Sequence, residues 1–140
     1  MTSDEARARV LNSRVGYLAT ADAAGVPHIV PITFVVDADR IITAIDGKPK
    51  RGTRLRRLDN IAANPAVSLL VESYDDDWSR LWWARADGVA AVLTNEEARA
   101  GFVELLRAKY RQYATVSIDG PVIVIEVRRW SGWIAGSMSL

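Results

Sequence analysis

Alternating apolar and polar positions run through most of the chain, and they predict strands. Val15–Thr20 reads as one strand, Ala23-Ala24-Gly25 as a turn, and Pro27–Val36 (PHIVPITFVV) as a second strand. The Asp-Ala-Asp turn at 37–39 leads into a third, Arg40–Ile45, and these three are expected to form an antiparallel meander. Pro31 has no backbone N–H to give to a ladder, so the second strand should lie at an edge or carry a bulge there. Ala66–Glu72 reads as a buried strand. Trp78–Arg85 and Gly88–Leu93 are expected to pair across Ala86-Asp87-Gly88, with Asp-Gly as the turn signal. Val122–Arg128 is the last long strand, continued or kinked through Trp130–Ile134.

Three stretches switch to a helical period. Thr2 and Glu5 have the spacing of a capping box for a short helix to about Asn12. A second helix is expected over Thr53–Ala63. Leu55, Leu58, Ile61 and Ala62 form its apolar stripe, Arg56 lies opposite, and Arg54 and Arg57 lie on one flank. Asn64-Pro65 ends it. Thr94 and Glu97 suggest a second capping box, opening a helix to about Tyr113 with Ala98, Phe102, Leu105, Leu106 and Tyr110 on its apolar side. Six or seven antiparallel strands with a few short helices predict a single mainly β domain over 1–140, closed into a small barrel that leaves few open edges.

Composition narrows the chemistry. At 49% hydrophobic the chain can bury a core, and it has no cysteine, which excludes disulfides, thiolate catalysis and Cys-ligated zinc. A single histidine, His28, excludes multi-His metal centres, and no metal site is expected. The N-terminus MTSDEARARV has no apolar h-region, and no apolar run approaches the ~20 residues of a membrane span. A cytoplasmic protein with no membrane partner is the expectation.

Charge is uneven. Lys48–Arg57, KPKRGTRLRR, holds six cations (Lys48, Lys50, Arg51, Arg54, Arg56 and Arg57) and no acid. Without those six of the 18 basic side chains, the remaining 12 face 17 acids. A focused positive patch on an acidic body implies one particular anionic ligand. The patch follows a Gly and opens a helix, where free N–H groups and cations together suit an anion. The plain alternative is a solvated helix face. Nucleic acid is not an expected partner, because it calls for a broader patch and a more basic chain than this one of pI about 8.1. Gly47 and Gly52 make no phosphate-loop or dinucleotide fingerprint, and the consecutive Asp75–Asp77 lack the alternate spacing of a calcium loop. Trp82 and Trp83 should project to opposite faces of a strand, at least one into the core, with Trp78 sharing the face of Trp82. Trp130 and Trp133 suit barrel or dimer packing equally.

Three segments, in this order, carry a family resemblance: VGYLATADAAGVPHIVPITF (15–34), KPKRGTRLRRLDNIAANPAVSLLV (48–71) and DDWSRLWWARADGVAAV (76–92). The chain resembles the split β-barrel flavin-binding superfamily of pyridoxamine-phosphate-oxidase type, and within it the branch that uses the deazaflavin coenzyme F420. The resemblance implies a homodimer with two cofactor sites at the interface. It implies that Lys50, Arg51, Arg54 and Arg57, with Lys48 and Thr53 nearby, hold the cofactor phosphate. It implies that the second strand around His28, Val30 and Pro31 lies along the ring, and that Trp78 comes from the partner subunit. The activity implied is hydride transfer from reduced F420 to a small conjugated organic substrate. The alternatives are an FMN- or heme-binding protein of the same fold, and a non-enzymatic dimer that carries or sequesters a cofactor. No catalytic acid or base stands out; Tyr17, His28 and Tyr74 are the titratable candidates, and solvent is another proton source.

Overall fold

The computed structural model describes residues 1–45 and 55–136. Three helices and seven strands follow in the order α1 (Ser3–Leu11), β1 (Gly16–Ala21), β2 (Pro27–Ile32), β3 (Val35–Asp37), β4 (Arg40–Ala44), α2 (Arg56–Ala63), β5 (Ala66–Ser73), β6 (Trp82–Leu93), α3 (Glu96–Lys109) and β7 (Val122–Ile134). All strand pairs are antiparallel, in one sheet of order β2-β1-β5-β6-β7-β4-β3.

The expected meander of three strands does not form. PHIVPITFVV breaks after Ile32: β2 pairs with β1, while β3 pairs with β4. These two pieces are the opposite edges of the sheet, yet only Thr33 and Phe34 separate them. Seven strands laid flat would put the edges nearly ~30 Å apart at the usual interstrand spacing. Three Cα–Cα steps reach at most ~11 Å. The sheet therefore rolls up, and the result is a barrel split between β2 and β3. Pro31 sits on edge strand β2, as its missing donor requires.

The expected hairpin at Ala86-Asp87-Gly88 is also absent. β6 runs unbroken from Trp82 to Leu93, and the Asp-Gly step marks a bulge against β7: Asp87 faces Arg129, but Gly88 faces Val127. A methyl group on Gly88 would collide with the Glu126 carbonyl oxygen, which explains the glycine. β7 likewise continues through to Ile134, bent by the bulge.

The barrel interior is filled by Leu18, Phe34, Ile41, Leu69, Val71, Ile123 and Ile125, with Ala6 and Val10 of α1 packed on the same cluster. Thr2 and Glu5 form the capping box read from the sequence. A second core lies outside the barrel wall, where Val103, Leu106, Tyr110 and Tyr113 cover Ile42, Val122 and Val124. Strand β4 is thus buried on both faces, and its run Ile41-Ile42-Thr43-Ala44 shows no alternation. Helix α3 is capped by Asn95 rather than Thr94, and it ends at Lys109, with Arg111–Ala114 in a 3-10 turn. Its buried side is Arg99, Val103 and Leu106, so Ala98 is exposed. On α2 the buried residues are Asn60 and Ile61, while Ala62 is exposed. Asn60 donates to the Thr20 hydroxyl at 3.0 Å, tying α2 to β1.

Candidate functional site

Helix α2 begins with Arg56 and Arg57 and ends at Asn64, followed by Pro65. Leu55, Leu58 and Ile61 pack on the barrel core. That packing leaves Arg56 in solvent and turns Arg57 to a half-buried position. Arg57 lines a cavity of about 310 Å³ with Val15, Pro31, Ile32, Thr33, Thr43 and Ala44. One charged side chain and two hydroxyl-bearing residues thus stand over the seam where the barrel splits. Thr43 donates to the Thr33 carbonyl at 2.7 Å, which fixes the floor of the cavity.

Two of the sequence-predicted residues, Arg57 and Pro31, are brought together here. Lys48, Lys50, Arg51, Thr53 and Arg54 lie outside the described residues. The others divide. Along β2 the side chains alternate, so His28, Val30 and Ile32 turn inward while Ile29 and Pro31 turn outward. Val30 packs against the main core. His28 lies opposite Thr20, and its Nδ1 is buried with no hydrogen-bond partner among the described residues. A ring lying along β2 therefore meets one face of the strand, not the whole His28–Pro31 run.

Trp78 starts no strand. It lies in a 3-10 turn, Trp78–Arg80, capped by the Asp77 side chain, and it is 68% exposed. Its Nε1–H points to the Tyr74 hydroxyl at 3.4 Å. It therefore does not share a strand face with Trp82. The Asp75–Asp77 segment is a solvated turn: hydrogen bonds from Ser79 hold the Asp77 carboxyl below its usual range, and Arg80 pairs with Asp75 at 3.5 Å. Trp82 packs against the core beneath the Arg9 guanidinium, 4.5 Å from the ring centre, whereas Trp83 lies on the outward face under Arg85. Trp130 belongs to the barrel and Trp133 faces outward.

An outward apolar strip continues from the seam. Pro31 lies opposite Tyr17, Tyr17 opposite Leu70, and Ile29 opposite Ala19. Ile29 is 62% exposed. Helix α3 covers the β4–β7 side of the barrel but not this one.

A second polar cluster, at the end of α3, was not expected from the sequence. The Tyr110 hydroxyl accepts from the Phe34 N–H at 3.0 Å and lies 2.8 Å from the Phe34 carbonyl and 2.9 Å from that of Arg14. Lys109 donates to the carbonyls of Ser13 and Phe34 at 2.7 and 2.8 Å. Burial, with the nearby Arg14 charge, pushes the Lys109 ammonium down to about 8, and burial raises the Tyr110 phenol. Tyr113 and Thr33 share a hydrogen bond at 2.9 Å. The one signal in the sequence that could have marked it is the grouping of Lys109, Tyr110 and Tyr113 at the end of the α3 stripe. Among the described residues no group of acids and histidines has the arrangement of a metal centre, and no helix is long and apolar enough to cross a membrane.

A rolled seven-stranded antiparallel sheet, open at a seam where Arg57 lines a cavity, defines a split-barrel fold. Residues 2–134 match the pyridoxamine 5'-phosphate oxidase family, and the chain belongs to it. No curated protein matches the sequence. Among solved structures the chain is similar to a conserved hypothetical protein from Mycobacterium tuberculosis (22% identity, TM-score 0.73, covering 100% of this chain and 92% of that one). It is also similar to a FAD-binding protein from Mesorhizobium loti (19%, 0.70, 94% of each chain). A third similarity is to the heme storage protein HutZ from Vibrio cholerae (17%, 0.69, 95% and 92%).

Proposed function

We propose that the chain is a cytoplasmic oxidoreductase that binds a flavin-type coenzyme, F420 in preference to FMN, and reduces a small conjugated organic substrate. The observation that carries this reading is the cavity at the barrel seam. Arg57 opens onto it, on a helix that follows directly after Lys48, Lys50, Arg51 and Arg54. A guanidinium beside the Thr33 and Thr43 positions fits an anionic group, and the run of cations favours a multiply anionic tail over a single phosphate. When bound, the coenzyme supplies the hydride. The protein supplies binding and orientation. Arg57, Lys48, Lys50, Arg51 and Arg54, with Thr53, would hold the tail. The outward side of β2, with Ile29 and Pro31, offers a flat apolar platform for the ring. Val30 supports that platform from the core side.

In this reading the working form is a homodimer. The exposed strip of Tyr17, Ile29 and Pro31 leads away from the seam, and a second copy would cover it and exclude water from the ring. Trp78, exposed on its turn, would reach a partner's site rather than its own. No carboxylate lines the seam cavity among the described residues, which leaves Tyr17, opposite Pro31, and solvent as the proton sources beside the platform.

Heme binding is the second reading, favoured by His28, whose buried Nδ1 has no partner among the described residues. Titrating the purified protein separately with oxidised F420, FMN and hemin, followed by fluorescence or absorbance, tests both. The proposal expects tightest binding of F420, and its loss when Arg57 is replaced. Preference for hemin with a histidine-type Soret band, lost in His28→Ala, would overturn it in favour of the second.

A further inference from the structure

A second cavity, of about 460 Å³, lies between the C-terminal end of α1, strand β3 and the last turns of α3. Its apolar lining is Leu11, Val35, Val36, Leu105 and Ala108, and Asn12 is its one uncharged polar residue. Its two charged residues are both cations, Arg14 and Lys109. Neither has a carboxylate within ion-pair distance among the described residues. Burial first, and the Arg14 charge second, lower the affinity of Lys109 for its proton.

The donors are only partly used. Lys109 spends two of its three N–H groups on the Ser13 and Phe34 carbonyls, which leaves one. Arg14 gives one N–H to the Lys109 carbonyl at 3.1 Å and rests its guanidinium 5.0 Å from the Tyr110 ring centre, leaving most of its five donors. Two adjacent, unneutralised cations at one end of an apolar cavity are completed by one negative charge carrying a hydrocarbon body. A dianion such as phosphate would leave the apolar walls unused and demand more donors. The volume falls in the range of small-molecule sites.

We propose that this cavity binds a small apolar monocarboxylate, its carboxylate held between Arg14 and Lys109 and its hydrocarbon part against Leu11, Val35, Val36 and Leu105. The site is separate from the seam cavity that contains Arg57, and its occupancy does not depend on a coenzyme.

Octanoate is a suitable probe, with 1-octanol as the uncharged comparison, titrated calorimetrically into the protein as purified. Saturable one-to-one binding of octanoate is expected, with octanol at least about tenfold weaker, as loss of a charge-assisted contact implies. Arg14→Gln, at an exposed position, should weaken octanoate by a similar factor while leaving the melting temperature nearly unchanged. Ala108→Trp, which fills the cavity from the exposed face of α3, should abolish binding. Val116→Trp, beside a neighbouring cavity that Arg14 also lines, should not. Equal affinity for octanoate and octanol, full affinity in Arg14→Gln, survival of binding in Ala108→Trp, or no saturable binding at all would each overturn the assignment.

Discussion

The Tyr110 hydroxyl closes on both backbone groups of Phe34, accepting from its N–H at 3.0 Å and lying 2.8 Å from its carbonyl. Phe34 is the residue at which one apolar segment leaves the β2 edge of the sheet and enters the β3 edge. Its N–H and carbonyl lie outside both strands, and the side chain of Tyr110, the residue just after α3, satisfies them.

Tyr110→Phe should therefore cost about 1–3 kcal/mol, the range for leaving a buried backbone donor unsatisfied. Urea denaturation measures it. Tyr113→Phe is the comparison: its hydroxyl shares a hydrogen bond with the Thr33 side chain at 2.9 Å, and a smaller loss is expected. Equal losses in the two variants would mean that the Phe34 contact has no special weight.

Lys109 gives the fold a pH signature. Its folded-state proton affinity is depressed to about 8 from an ordinary 10.5, burial first and the Arg14 charge second. Below about pH 8 both states are protonated, and the cost of burying the charge is present in full. Between about 8 and 10 the unfolded chain holds more protons than the folded one, so this group makes stability rise with pH. Above that range the raised Tyr110 phenol works in the opposite direction. The difference in unfolding free energy between wild type and Lys109→Met, followed from pH 7 to 10, should change in favour of wild type. A flat difference would show that the ammonium is not desolvated.

Arg57 and Arg56 are sequence neighbours with different surroundings. Arg57→Ala should weaken F420 or FMN binding by about tenfold or more, the worth of a charge-assisted contact. Arg56→Ala, on the solvent side, should leave it nearly unchanged. Similar effects in both would point to a diffuse field rather than a cavity contact.

Trp78 is exposed enough that Trp78→Ala should barely move the melting temperature. If it closes over a bound coenzyme in a dimer, affinity and turnover should fall without that loss. Normal affinity in a stable variant removes it from the site.

Ile29→Asp tests the uncovered strip. Wild type is expected to sediment at about twice the 15.4 kDa chain mass, and the variant nearer to one chain. A wild-type monomer that binds coenzyme tightly would sink the shared-site reading.

The class of fold was legible from strand patterning, because half-buried strands show period two and turns announce themselves. Two features were not. Nothing in PHIVPITFVV marks the break after Ile32, since both halves keep strand residues and the division is made by pairing with different neighbours. The Asp87-Gly88 pair has hairpin chemistry locally, but the glycine is there because the Glu126 carbonyl approaches it, a contact from a distant strand. The apolar stripe of α3 shifted for a related reason: Arg99 is buried because its guanidinium reaches the Ile118 carbonyl and the Glu96 carboxylate. At the candidate site, the charge run pointed to Arg57 and the family resemblance to Pro31, and the structure places both at one cavity. Arg14 and Lys109 were missed because they are brought together across most of the chain's length.

The two-residue link at Thr33–Phe34 has a bearing on how the chain folds. Hairpins β1–β2 and β3–β4 are each made of neighbouring residues and are tied together almost without slack, so joining them adds little loop-closure entropy. The expensive event is bringing β5, β6 and β7 in from far along the chain to fill the gap between these two hairpins. Insertion of that central meander is expected to be the rate-limiting event. Substitutions at Leu69 and Ile125 should slow refolding, whereas those within the β3–β4 turn should mainly speed unfolding, and stopped-flow kinetics distinguishes the two.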